Sequence, residues 1–118
     1  MCVSGEAPHS HPVDPERVAR ARARLLSSDE AERVGELFRL LGDSVRARVV
    51  SALAAAEEMC VGDIALAIGA RENSVSYALR QLRAAGLVHR RRRGREIYYR
   101  LADEHAAELL ALARRGPP

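Results

Sequence analysis

Residues 73–101 read NSVSYALRQLRAAGLVHRRRRGREIYYRL, and the change of period within that stretch decides the fold. In its first half Val75, Leu79 and Leu82 recur at helical spacing on one face, while Ser74, Ser76, Tyr77, Arg80 and Arg83 lie on the others. Gly86 stops that helix. The second half divides into two short strands, 87–91 and 96–101, around a turn that contains Gly94.

Working outward, a short helix over 61–68 ends at Gly69, and a brief turn at 70–72 leads into the longer one. Asp43 caps a helix in which Val45, Val49, Val50 and Leu53 face inward. Before it, Ser27 with Glu30 fits a capping box, and Val34, Leu37, Phe38 and Leu41 form an apolar stripe that ends at Gly42. Asp14 followed by Pro15 opens a first helix to about residue 26, and a last helix runs from 102 to about 114, before Gly116 and two prolines. Residues 1–13 read as a flexible arm carrying Cys2, His9 and His11, and 14–116 as one domain. The expected fold is mostly α with a small β-hairpin, in the order α-α-α-α-α-β-β-α.

Composition agrees with that outline. A chain of 118 residues with 3% aromatics and no Trp builds its core from Leu, Val, Ile and Ala, which suits short packed helices. No apolar run is long enough for a membrane span, and the start MCVSGEAPHSHP lacks the pattern of a signal peptide, so a cytoplasmic protein is expected. Net charge is +3, and every one of the nineteen basic residues is Arg. Arginines 80, 83, 90, 91, 92, 93, 95 and 100 face one acid, Glu96, giving that segment +7 and leaving the remainder at −4. Such asymmetry marks a localised anion-binding face, with nucleic acid as the natural partner. No glycine-rich phosphate loop, nucleophile–base pair or paired carboxylates stand out, which argues against an enzyme.

Two helices joined by a tight turn and followed by a basic hairpin give the outline of a winged helix-turn-helix. Ser74, Ser76, Tyr77 and Arg80 are the candidate base-reading residues, with Arg83 beside them. Arg91, Arg92, Arg93 and Arg95 are the candidate wing contacts to duplex DNA.

The runs LFRLLGDSVRARVVSAL, EEMCVGDIALAIG and the opening stretch resemble, in order and spacing, the ArsR/SmtB family of metal-sensing winged-helix repressors, over about residues 34–110. The resemblance implies a homodimer, built from the first and last helices, that binds operator DNA and releases it when metal binds. Where similar members carry Ser at the start of the reading helix and His in its middle, this chain has Arg71 and Tyr77, a difference that bears on the operator sequence.

The resemblance also implies a metal half-site of Cys60 and Asp63, completed by Cys2, His9 and His11 from the partner's arm. Positions i and i+3 share a helix face, and mixed S, N and O donors suit Zn(II), with Cd(II), Pb(II) or Co(II) as alternatives. A second, weaker site begins at Asp103 and His105. The His and Glu that complete it in the family are missing from LARRGPP, leaving Glu104 or Glu108 as substitutes, with helix capping by Asp103 as the simpler role. Two other functions stay open: a thiol or reactive-sulfur switch between Cys2 and Cys60, and a DNA-binding or interaction module with no effector.

Overall fold

The computed structural model describes residues 11–115. The Asp14 carboxylate accepts the Arg17 backbone N–H at 3.0 Å, and Pro15 sits where no N–H is needed, so α1 runs Pro15–Arg24. It ends earlier than expected because Leu25 turns extended (ψ 144°) and the next helix needs a non-helical cap residue at Ser27. There the capping box forms. The Glu30 N–H donates to Ser27 Oγ at 3.1 Å and the Ser27 N–H donates to Glu30 Oε1 at 2.9 Å, opening α2 (Ser28–Leu41). Two compact units divide the chain between Ala31 and Glu32. Helix α1, in the first, buries none of its residues.

In the second unit α3 (Ser44–Ala56) is capped by Asp43, whose carboxylate accepts the Arg46 N–H at 3.0 Å. It packs with α4 (Val61–Ile68) and α5 (Glu72–Ala84) around Val49, Val50, Leu53, Ile64, Val75, Leu79 and Leu82. Each such side chain, fully withdrawn from water, contributes about 1.5–3 kcal/mol. On α2 the buried position is Leu40, and Phe38, expected in the stripe, is 57% exposed. Leu37, Leu40 and Leu41 form the inward face, and Phe38 falls beside it.

The sheet adds an element to the expected order. A two-residue strand β1 (Met59–Cys60) joins β2 (Val88–Arg93) and β3 (Glu96–Leu101) in the order β1-β3-β2, antiparallel throughout. Met59 pairs with Tyr99 and Cys60 with Tyr98; Val88 pairs with Leu101 and Arg93 with Glu96. The hairpin loop is Gly94–Arg95. Gly94 has φ 64° and Arg95 a negative φ, the pattern of a type II′ turn. Leu87 lies just outside β2, where its carbonyl accepts the Ala102 N–H at 2.9 Å. Helix α6 is His105–Arg114, starting three residues later than expected because Ala102–Glu104 form the turn out of the sheet. No helix among the described residues is long and apolar enough to cross a membrane.

Candidate nucleic-acid interface and metal half-site

The helix pair α4–α5 is joined at Gly69, which adopts the left-handed conformation (φ 67°, ψ 36°), while the Ala70 N–H returns to the Ala65 carbonyl at 3.0 Å. That closure lets α5 leave at once, with Val75, Ala78, Leu79 and Leu82 buried. Asn73, Tyr77 and Arg80, at i, i+4 and i+7, share the opposite face, and the Arg80 guanidinium stands 5.7 Å from the Tyr77 ring centre. Ser74 is exposed on one flank; Ser76 is half-buried and Arg83 exposed on the other. The candidate set omitted Asn73, although its spacing from Tyr77 is visible in the sequence and an amide suits the adenine edge.

Arg46 was also missed. Its Nε donates to the Leu40 carbonyl at 2.8 Å, Nη1 to Gln81 Oε1 at 2.7 Å and Nη2 to the Arg39 carbonyl at 3.4 Å. One guanidinium thus adds to the long backbone bonds that the Arg39 and Leu40 carbonyls accept from Gly42 and Asp43 (3.3 and 3.5 Å), and holds a side chain of α5. With Asp43, Val45, Ser74, Tyr77 and Gln81, Arg46 also lines a cavity of about 210 Å³ beside the exposed face of α5.

The wing arginines are not equivalent. The Arg91 Nε and Nη2 donate to the two oxygens of Glu58 at 2.8 and 2.9 Å, and Arg93 Nη1 reaches Glu58 Oε1 at 3.2 Å. These bonds, that from Arg91 first, hold the Glu58 carboxyl below its ordinary pKa, and Glu58 raises that of Arg91. The Arg93 guanidinium also covers the Tyr98 ring at 4.9 Å. Arg92 and Arg95 are exposed and, among the described residues, have no acidic partner.

Cys60 occupies two roles at once, as the last residue of β1 and the N-cap of α4 (φ −84°, ψ 166°). Its thiol is free and partly exposed and makes no capping bond; Asp63 is exposed in the first turn of α4, with no ion pair among the described residues. Thiol and carboxylate therefore stand one helical turn apart, both unengaged. Among the described residues no group of three or more metal-donor side chains comes together. Cys2 and His9 lie outside the described residues; His11 is exposed. At the second candidate site the Asp103 carboxylate accepts the His105 backbone N–H at 2.8 Å across a two-residue turn, the cap position of α6 itself being Glu104, and its oxygen is 3.4 Å from His105 Nδ1. Both residues line a cavity of about 480 Å³ with Glu32, Glu36, Leu37 and Leu40. Glu36 there is engaged by Arg39, with side-chain bonds of 2.6 and 2.9 Å, and Glu108 is exposed in the first turn of α6.

A family model described as a helix-turn-helix domain matches residues 41–91. A transcriptional repressor SmtB homolog from Synechocystis sp. is 44% identical over 97 residues, 82% of this chain and 73% of that protein. The crystal structure of the AntR antimony-specific transcriptional repressor matches with a TM-score of 0.72 and 31% identity, covering 90% of this chain and 93% of that one. The homodimeric winged helix-turn-helix DNA-binding domain of Mb0332 from Mycobacterium bovis matches with a TM-score of 0.64 and 33% identity, covering 78% and 87% respectively. Given this kinship, a helix pair closed at Gly69 and an arginine-bearing hairpin, the chain belongs to the ArsR/SmtB family of winged helix-turn-helix transcriptional repressors.

Proposed function

We propose that the protein is a metal-responsive repressor that binds operator DNA as a homodimer and leaves it on binding Zn(II), or a related thiophilic ion such as Cd(II), Pb(II) or Co(II). One observation carries this reading: Cys60 and Asp63 present an unengaged thiol and carboxylate at the start of α4, the helix joined through Gly69 to the DNA-reading helix α5. In this reading Cys2, His9 and His11 of the arm complete the donor set from the second copy. The bound ion supplies a positive charge at which S, N and O donors of two chains meet. Held there, the arm favours a spacing of the two α5 helices that no longer matches successive major-groove turns.

On the DNA side, Ser74, Ser76, Tyr77 and Arg80 read base edges, with Asn73 added from the geometry. Arg83 and the wing arginines without an acidic partner, Arg92 and Arg95, contact phosphate. The dimer is supported by exposed Phe38 on α2 and Leu112 on α6, and by the homodimeric relative. The coupling is reciprocal, so DNA weakens metal binding by the factor by which metal weakens DNA binding.

Fluorescence anisotropy of the reduced full chain on its promoter DNA, at fixed salt with each metal titrated in turn, tests this. Release by a thiophilic metal in the native chain, lost in Cys60→Ser with unchanged metal-free affinity, is the expected result. Release that survives Cys60→Ser removes Cys60 from the mechanism. A thiol switch is the second reading, favoured by the free, partly exposed Cys60. It requires that release by oxidant persist in the doubly substituted His9→Ala, His11→Ala chain.

A further inference from the structure

The strand that ends at Cys60 is entered through an unusual turn. Glu57 has φ 67° and ψ −56°, and the Glu58 N–H donates to the Ala56 carbonyl across it at 2.7 Å: a γ-turn of the rare positive-φ kind, in a residue with a full side chain. Among the described residues Glu57 is the only non-glycine with positive φ. The turn reverses the chain off α3 and aims Glu58 at the wing. Its side chain is only 17% exposed, while those of Arg91 and Arg93 are 60% and 56% exposed.

Residues directly opposite each other in antiparallel strands point to the same face, so Cys60, Tyr98 and Arg91 form one row across the sheet. Arg93 lies over Tyr98 on that same face. Glu58, in the turn just before β1, reaches that same face, as its bonds to Arg91 and Arg93 show. The geometry therefore places one carboxylate against two guanidiniums, that of Arg91 in the bidentate mode that arginine also uses for a phosphate diester and that of Arg93 through a single bond.

We infer that Glu58 is an internal competitor for DNA phosphate: it holds Arg91 and Arg93 out of the counterion-releasing contact set and leaves the wing's phosphate grip to Arg90, Arg92 and Arg95. It sets the electrostatic strength of DNA binding from inside the fold. Arg91 has its Nε–Nη2 fork filled, and Arg93 is held between carboxylate and ring. Either can meet a phosphate only by giving up the bonds that Glu58 already supplies.

The test uses the full chain without metal, in the presence of chelator, so it stands whether or not the metal reading does. The affinity of native protein and Glu58→Gln for promoter DNA and for a mixed-sequence duplex is measured across a series of salt concentrations. Log affinity falls with log salt by about 0.9 per phosphate contact, so release of one or both arginines steepens the slope by about 1 to 2 for each wing on the DNA and tightens binding about eightfold or more per wing at about 0.1 M salt. Adding Arg91→Ala and Arg93→Ala to Glu58→Gln returns the slope to the native value. Should Glu58→Gln unfold, Glu58→Ala serves in the same series, with circular dichroism as the check on folding. An unchanged slope overturns the inference. So does a shallower slope with weaker binding, which would make Glu58 the group that presents the arginines to DNA.

Discussion

Replacing Arg46 with Met tests whether a single guanidinium ties the end of α2 to the reading helix. Methionine keeps most of the aliphatic stem and its packing, so the loss is confined to the charged head. Two of the three bonds have strong geometry, 2.8 Å to the Leu40 carbonyl and 2.7 Å to Gln81; the third, 3.4 Å to the Arg39 carbonyl, is long enough to discount. Bonds from charged donors contribute about 1.5–3 kcal/mol each, and at a part-buried site the lower end applies, giving a loss of about 2–3 kcal/mol in all. Urea unfolding at fixed protein concentration reads this directly: with m near 1.5 kcal/mol/M the midpoint falls by about 1.3–2 M at constant m. A cycle with Gln81→Leu isolates the interhelix bond, with a coupling of about 1 kcal/mol. A loss under about 0.5 kcal/mol, or additivity in the cycle, refutes the linchpin role of Arg46.

Two other outcomes follow from strain and charge. Glu57→Gly relieves the positive-φ γ-turn and raises unfolding free energy by about 1 kcal/mol, the relief of strain outweighing glycine's entropy; a loss in calorimetry or urea unfolding contradicts the strain. Glu36 and Glu58 have pKa values below the ordinary 4.5, each chiefly through a hydrogen bond from Arg. A carboxylate depressed on folding stabilises fully above its unfolded pKa and loses that contribution as pH falls through the folded value. The stability gap between native protein and Glu36→Gln is therefore flat from about pH 8 to about pH 5.5 and closes toward about pH 3; a gap that widens on acidification contradicts the pairing.

Much of the architecture is legible in the sequence because its signals are local. The caps at Asp14, Ser27 and Asp43, the stops at Gly42, Gly69 and Gly86 and the Gly94 turn each act over three or four residues. Strand β1 is not legible: two residues have no period, and Met59–Cys60 becomes a strand only because β3 arrives from some forty positions downstream. The exposed place of Phe38 was obscured because Leu37, Phe38, Leu40 and Leu41 are all apolar, so the pattern admits more than one inward face. At the candidate site, the spacing of Cys60 and Asp63 and the positions on α5 could be read directly. The roles of Arg46 and Glu58 could not, since both depend on partners 33 to 35 residues away.

Four consecutive arginines, 90–93, make the outer strand of the wing almost uniform, so nothing in its own chemistry distinguishes one phase of pairing from the next. A slip of one residue would bring Arg90 and Arg92 to Glu58 and set Arg91 and Arg93 free, with no change in composition. What forbids the slip lies at the two ends of the strand: Val88, with no exposed surface, opposite Leu101, and the two-residue loop that fixes Arg93 against Glu96. The charge this wing offers is thus encoded in phase. A single residue inserted into the turn would alter which cations it presents, and two relatives with equally basic hairpins can carry different usable charge.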